Sequence, residues 1–146
     1  MFSFQLPDSF VTPYADRTVP WGYSDAAGNS LGEITFLRTY SRQREDGTKE
    51  RWHEVVRRVV EGMFSLLRDH LTTQRLPWDD AWAQETARDA YERLFELKWT
   101  PPGRGLWIMG TPLVNEVGNS APLQNCAFVS TEDMTAAAPS RPFTFL

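Results

Sequence analysis

The chain has 146 residues, 41% of them hydrophobic and 23% charged, with a formal net charge of −4. That balance is typical of a soluble globular domain and excludes a basic nucleic-acid footprint. No stretch approaches the ~20 apolar residues of a membrane span, and the N-terminus lacks the basic and apolar regions of a signal peptide.

Cys126 is the only cysteine, so no internal disulfide forms. Without an export signal, a reducing cytoplasm is the expected compartment. The aromatic content is high, with 6 Trp and 9 Phe, enough to build a core and to leave some rings for a further surface.

Residues 1–50 read as an irregular N-terminal arm, punctuated by Pro7, Pro13, Pro20, Gly22, Gly28, Gly32 and Gly47. Asp25 to Asn29 and Arg44 to Lys49 are predicted turns. Between them, Glu33 to Tyr40 (EITFLRTY) reads as a short strand or extended arm.

Residues 51–100 read as a helical region. From Glu50 to Leu71, Trp52, Val55, Val56, Val59, Val60, Met63, Phe64 and Leu67 recur at spacings of three and four, a wide apolar stripe. Thr48 is the candidate N-cap, with Arg51 where a capping box wants Glu. Gly62 weakens the middle by about 1 kcal/mol relative to Ala.

A second helix is predicted from Asp80 to Lys98 with Asp79 as N-cap. Its stripe is Trp82, Thr86, Ala90, Tyr91, Leu94, Phe95 and Leu97. Pro101 and Pro102 end it, and the short connection between the helices implies antiparallel packing.

Residues 101–146 change character. Pro101 to Gly118 mixes glycine and proline with Leu106, Trp107, Ile108 and Met109, as in a loop pinned into a core. Cys126 to Ser130 (CAFVS) reads as a short apolar strand, and the chain ends on an apolar Phe143-Thr144-Phe145-Leu146.

Common site signatures are missing from the sequence. Gly103-Arg104-Gly105 lacks the third glycine of a dinucleotide loop. His53 and His70 stand alone and read as helix-surface residues. Glu45-Asp46, Asp79-Asp80 and Glu132-Asp133 fall in turns or at helix ends, where carboxylates cap. Cys126 remains: by composition a small buried thiol, by its polar flank Gly118 to Asn125 a reactive group presented from a rigid frame.

Three segments together resemble ribonucleotide reductase large subunits. They are Phe36-Leu37-Arg38-Thr39-Tyr40-Ser41-Arg42 followed by Trp52, the run Pro101-Pro102-Gly103-Arg104-Gly105-Leu106-Trp107-Ile108-Met109-Gly110-Thr111, and the run Gly118 to Val129 containing Cys126. The Pro-Pro-Gly-Arg-Gly-Leu-Trp motif is most similar to the adenosylcobalamin-dependent (class II) ribonucleoside-triphosphate reductases.

This resemblance implies a mainly α N-terminal helical region leading into the first strand of a ten-stranded α/β barrel. Cys126 would then be one of two redox cysteines, and Asn125 and Thr111 would approach the ribonucleotide substrate. The implied reaction makes deoxyribonucleotides for DNA synthesis by thiyl-radical chemistry. Adenosylcobalamin, a cobalt cofactor, would be bound elsewhere in the enzyme, and a thioredoxin-like reductant would reopen the disulfide.

The second cysteine and most of the barrel have no counterpart in this sequence. The chain is therefore expected to be inactive without the remaining C-terminal part of the reductase. The alternative is a non-catalytic helical interaction module or remnant, using its Trp-rich helices and apolar tail to hold a partner.

Overall fold

The computed structural model describes residues 3–118 and Leu123. In chain order the helices are α1 (Asp8–Val11), α2 (Leu31–Thr35), α3 (Trp52–Thr73), α4 (Asp80–Phe95), α5 (Gly103–Ile108) and α6 (Pro112–Asn115). A 3₁₀ turn, Thr12–Asp16, follows α1, and a π turn, Phe36–Tyr40, follows α2.

The predicted stripe on α3 is the core. Trp52, Val55, Val56, Val59, Val60 and Phe64 are buried, as are Gly62 and Ser65 beside them. On α4 the buried residues are Ala83, Ala87, Tyr91, Leu94 and Phe95. The stripe expected through Trp82 and Thr86 is thus displaced by one residue at its start. Small alanines face α3 there, while Trp82 sits at the rim, 49% exposed, with its ring 6.3 Å from Phe64.

The two helices run antiparallel, as their short connection predicts. The end of α4 meets the start of α3, where the Trp52 indole donates to the Phe95 carbonyl (3.0 Å) and the Tyr91 hydroxyl to that of His53 (3.0 Å). Asp79 caps α4 as expected, accepting from the amides of Ala81 (2.9 Å) and Trp82 (3.0 Å).

For α3 the cap differs from the prediction. Arg51, not Thr48, is the N-cap, and the Glu54 carboxylate reaches back to the Arg51 amide at 2.7 Å. The Glu that a capping box needs is present three residues later than assumed. Thr48 instead belongs to the preceding turn, donating its amide (2.9 Å) and hydroxyl (2.6 Å) to Asp46.

The segment Glu33 to Tyr40 is helical, not extended. Its β-branched Ile34, Thr35 and Thr39 suggested a strand, but Phe36 and Tyr40 lie at helical spacing. Phe36 is buried edge-on against Trp52 (5.2 Å) and stacked on Trp21 (5.4 Å), and this burial outweighs local propensity. The Ser41 amide bonds to the Phe36 carbonyl at 3.0 Å, closing the π turn.

The arm is less irregular than its prolines suggest. Residues 3–6 lie along α3 and α4, bonded by side chains. The Phe4 amide donates to Ser65 (3.0 Å) and the Leu6 amide to Glu61 (2.9 Å). The Leu6 carbonyl accepts from Arg57 (3.0 Å) and the Gln5 carbonyl from Gln84 (2.8 Å). Asp25 to Asn29 and Arg44 to Lys49 are turns as read, closed by the bridges Ser24–Ser30 and Gln43–Lys49.

Among the described residues there is no strand beyond these bridges. The barrel strand expected at Cys126 to Ser130 lies outside the described residues, as does the apolar tail. No helix among the described residues is long and apolar enough to cross a membrane.

Candidate functional site

The stretch expected to be a pinned loop folds into two short helices, α5 and α6, and the pins are identifiable. Arg58 on α3 donates to the Leu106 carbonyl (3.0 Å) and the Met109 carbonyl (2.6 Å) while holding Glu50 with two bonds (2.8 and 3.0 Å). Its guanidinium thereby serves four acceptors in the planar fork geometry that lysine cannot provide.

Glycines set the approach distances. Gly62, in mid-helix, lies directly against Gly110, whose φ is +73°. Gly103 lies under the Tyr40 hydroxyl, where a side chain would stand 2.8 Å from that oxygen. The latter contact fastens the π turn to α5.

These fastenings create a cleft of about 770 Å³ between the π turn and the α5–α6 corner. Arg38, Arg42 and Arg104 line it, with Thr39, Ser41 and Gln43 on one side and Trp107, Ile108 and Thr111 on the other. The volume falls in the range of small-molecule sites. The Arg42 guanidinium reaches the Trp107 carbonyl at 3.5 Å, and Ser41 donates to the Glu50 carbonyl at 2.7 Å. Trp107 is 55% exposed.

Thr111, predicted to approach substrate, sits at the edge of this cleft, 3% exposed. Its hydroxyl donates to the Ile108 carbonyl at 2.7 Å, and so does its amide at 3.1 Å. With both donors engaged, the side chain offers a ligand its acceptor lone pairs. Such a group suits a ribose hydroxyl better than a phosphate oxygen, which has no proton to give at neutral pH. Cys126 and Asn125 lie outside the described residues.

The arginine lining was missed by the sequence reading. Arg38 and Arg42 stood inside a quoted motif, but their convergence with Arg104, more than sixty residues away, depends on the α3 scaffold. The histidines behave largely as expected: His70 is exposed, and His53 is partly buried, which lowers its pKa. Among the described residues no group of three or more His, Cys, Asp or Glu side chains gathers to hold a metal ion.

A family model described as ribonucleotide reductase alpha domain matches residues 6–111. The chain is 42% identical over 143 residues to a probable adenosylcobalamin-dependent ribonucleoside-triphosphate reductase of Dictyostelium discoideum, a match covering 98% of the chain and 18% of that protein. It is 41% identical over 144 residues to an adenosylcobalamin-dependent ribonucleoside-triphosphate reductase of Euglena gracilis, covering 98% of the chain and 19% of that protein. The crystal structure of a B-12-dependent (class II) ribonucleotide reductase superposes with a TM-score of 0.72 at 30% identity, over 97% of the chain and 21% of that structure. The chain thus spans about a fifth of the length of these relatives.

Proposed function

The chain belongs to the ribonucleotide reductase family, and on that footing we propose that it forms the N-terminal part of an adenosylcobalamin-dependent ribonucleoside-triphosphate reductase. The observation that carries this reading is a match to such reductases over 98% of the chain at 41–42% identity. The activity belongs to the assembled enzyme; this chain supplies the helical scaffold, one wall of the substrate region and one redox residue. Residues 101–146 are the substrate-side portion, leading into the first barrel strand.

In this reading Cys126 is one thiol of a pair whose partner lies in the remaining part of the enzyme. A thiyl radical on a further cysteine takes the 3′ hydrogen of the ribose and later returns it. The 2′ hydroxyl leaves as water. The two thiols give up two electrons and two protons and close to a disulfide, which a thioredoxin-like reductant reopens by exchange. Thr111 and Asn125 hold the ribonucleotide, Thr111 by accepting from a ribose hydroxyl.

Adenosylcobalamin is the cofactor named for the relatives that the chain matches. In this reading the remainder of the enzyme binds it. A cytoplasmic enzyme is part of the same proposal; among the described residues no helix is long and apolar enough to cross a membrane.

The test is Cys126→Ser in the assembled enzyme. The variant is expected to lose turnover while nucleotide binding is nearly intact. Turnover at the wild-type rate with a thioredoxin reductant would refute the role. The 146-residue chain assayed alone is expected to be inactive.

A further inference from the structure

We propose that Glu50 and Arg58 form a strut between the two walls of the cleft, and that Glu50 is thereby a positioning residue for Thr111 and the ribose it holds. The second half of that statement rests on the reductase reading above; the first half rests on the bonds themselves.

Glu50 serves the wall that follows the π turn. Its carboxylate accepts from the Arg42 amide (3.2 Å), its own amide donates to the Arg42 carbonyl (2.8 Å), and its carbonyl accepts from the Ser41 hydroxyl (2.7 Å). Ser41 and Arg42 both line the cleft. Arg58 serves the opposite wall, where it holds the Leu106 and Met109 carbonyls. Only Gly110 separates Met109 from Thr111, and Gly110 itself lies against the Arg58 backbone.

Between the walls two planar groups meet. Oε1 of Glu50 accepts from Nε of Arg58 (2.8 Å), and Oε2 accepts from a terminal nitrogen (3.0 Å). Two parallel bonds between a guanidinium and a carboxylate fix orientation as well as distance. The side chains are only 13% and 15% exposed, so salt screens the pair little. Such a pair adds little stability over a well-packed apolar pair of similar volume. What it supplies here is a defined separation. Neither residue lines the cleft; both act through the residues they hold.

Thr111 depends on that separation. It is buried, and its amide and hydroxyl both donate to the Ile108 carbonyl inside the same corner. It therefore moves with α5 and α6 as a unit. A ribose hydroxyl bonded to it is displaced relative to the π turn when the strut changes length, and a displacement of about 1 Å is enough to matter.

The experiment has two arms. In the 146-residue chain, amide hydrogen exchange compares the wild type with Glu50→Gln, which keeps the length of the side chain and removes its charge. The Leu106, Met109 and Thr111 amides, bonded within the corner, are expected to exchange about tenfold faster. The Phe4 and Leu6 amides, whose opening leaves the strut in place, are expected to be unchanged. Corner amides that exchange at the wild-type rate overturn the strut.

In the assembled enzyme, Glu50→Gln is expected to raise KM about tenfold, with a smaller effect on kcat. A mere loss of folded molecules would lower turnover and leave KM alone. Thr111→Val is expected to raise KM by a similar factor, and the double variant no further than either alone, since both act on one contact. An unchanged KM in Glu50→Gln, or factors that multiply in the double variant, overturns the positioning role. Glu50→Asp keeps the charge and shortens the strut by one methylene. It is expected to raise KM as well; a wild-type KM would mean that Glu50 only neutralises Arg58 and would overturn the role. If the assembled enzyme reduces no nucleotide while the exchange result holds, the reductase reading and the positioning role that rests on it fail, and the strut stands.

Discussion

Gly62 and Gly110 are in backbone contact: a methyl group on Gly62 would stand 2.5 Å from the Gly110 nitrogen and 2.6 Å from its Cα. Gly62 therefore does more than weaken a helix. It lets the α5–α6 corner settle directly onto α3, which places Arg104 and Thr111 opposite the π turn.

Replacing Gly110 by alanine should be costly. Its φ of +73° disfavours any side chain, and a methyl group there would collide with the Arg58 carbonyl. We expect a loss of about 3 kcal/mol. Gly47, with a similar φ of +82° but open space around it, should lose only about 1 kcal/mol. Urea denaturation of the two variants checks this; equal losses would mean that the contact carries no weight.

Arg58→Met should destabilise by about 3 kcal/mol, because it leaves Glu50, itself largely buried, without its partner. The carbonyls of Leu106 and Met109 lose their donors as well. Arg58→Lys should recover only part of the loss, since an ammonium cannot serve four acceptors in one plane. Full recovery in a thermal melt would refute the fork.

Asp79→Ala removes the acceptor for two amides at the start of α4. The expected cost is about 1 kcal/mol, and Asp79→Asn should be close to neutral. A melt in which alanine and asparagine behave alike would contradict the capping role.

His53 sets a pH dependence. Burial lowers its pKa in the folded chain, so the unfolded chain binds a proton more readily. Stability from this residue is present above the unfolded value of about 6.5 and falls as the pH drops through it. Tyr14 acts at the other end. Its pKa is pushed up to about 12 by burial and by its bond to Glu92, so stability falls as the pH rises past about 10. Unfolding curves from pH 5 to 8 should show the acid slope shrink in His53→Gln; an unchanged slope would assign it to other groups.

The long helices were legible because their apolar residues repeat over about four turns and because Asp79 is a strong cap. What escaped was settled by distant partners. Phe36 and Tyr40 are helical because Trp21, Trp52 and Gly103 lie where a helix puts those rings. Arg51 became the N-cap because Glu54, one turn in, supplies the acceptor. Trp82 looked like a core residue by size, yet the packing of α4 on α3 favoured Ala83 and Ala87. In the candidate site, Thr111 was reachable through motif resemblance, whereas the arginine cleft required the three-dimensional meeting of residues 38–42 with 104.

The lodging of residues 3–6 against Ser65, Glu61, Arg57 and Gln84 bears on how the protein is made. Synthesis delivers Phe4 and Leu6 ahead of both long helices, and their groove is not finished until α4 has been added some eighty residues later. At about 5–20 residues per second, the interval is roughly 4 to 16 s. During that time the two apolar side chains, with Phe10 close behind, have no native seat on the nascent polypeptide. Residues 3–6 are thus made well before their seat exists, and they dock only after α4 has joined α3.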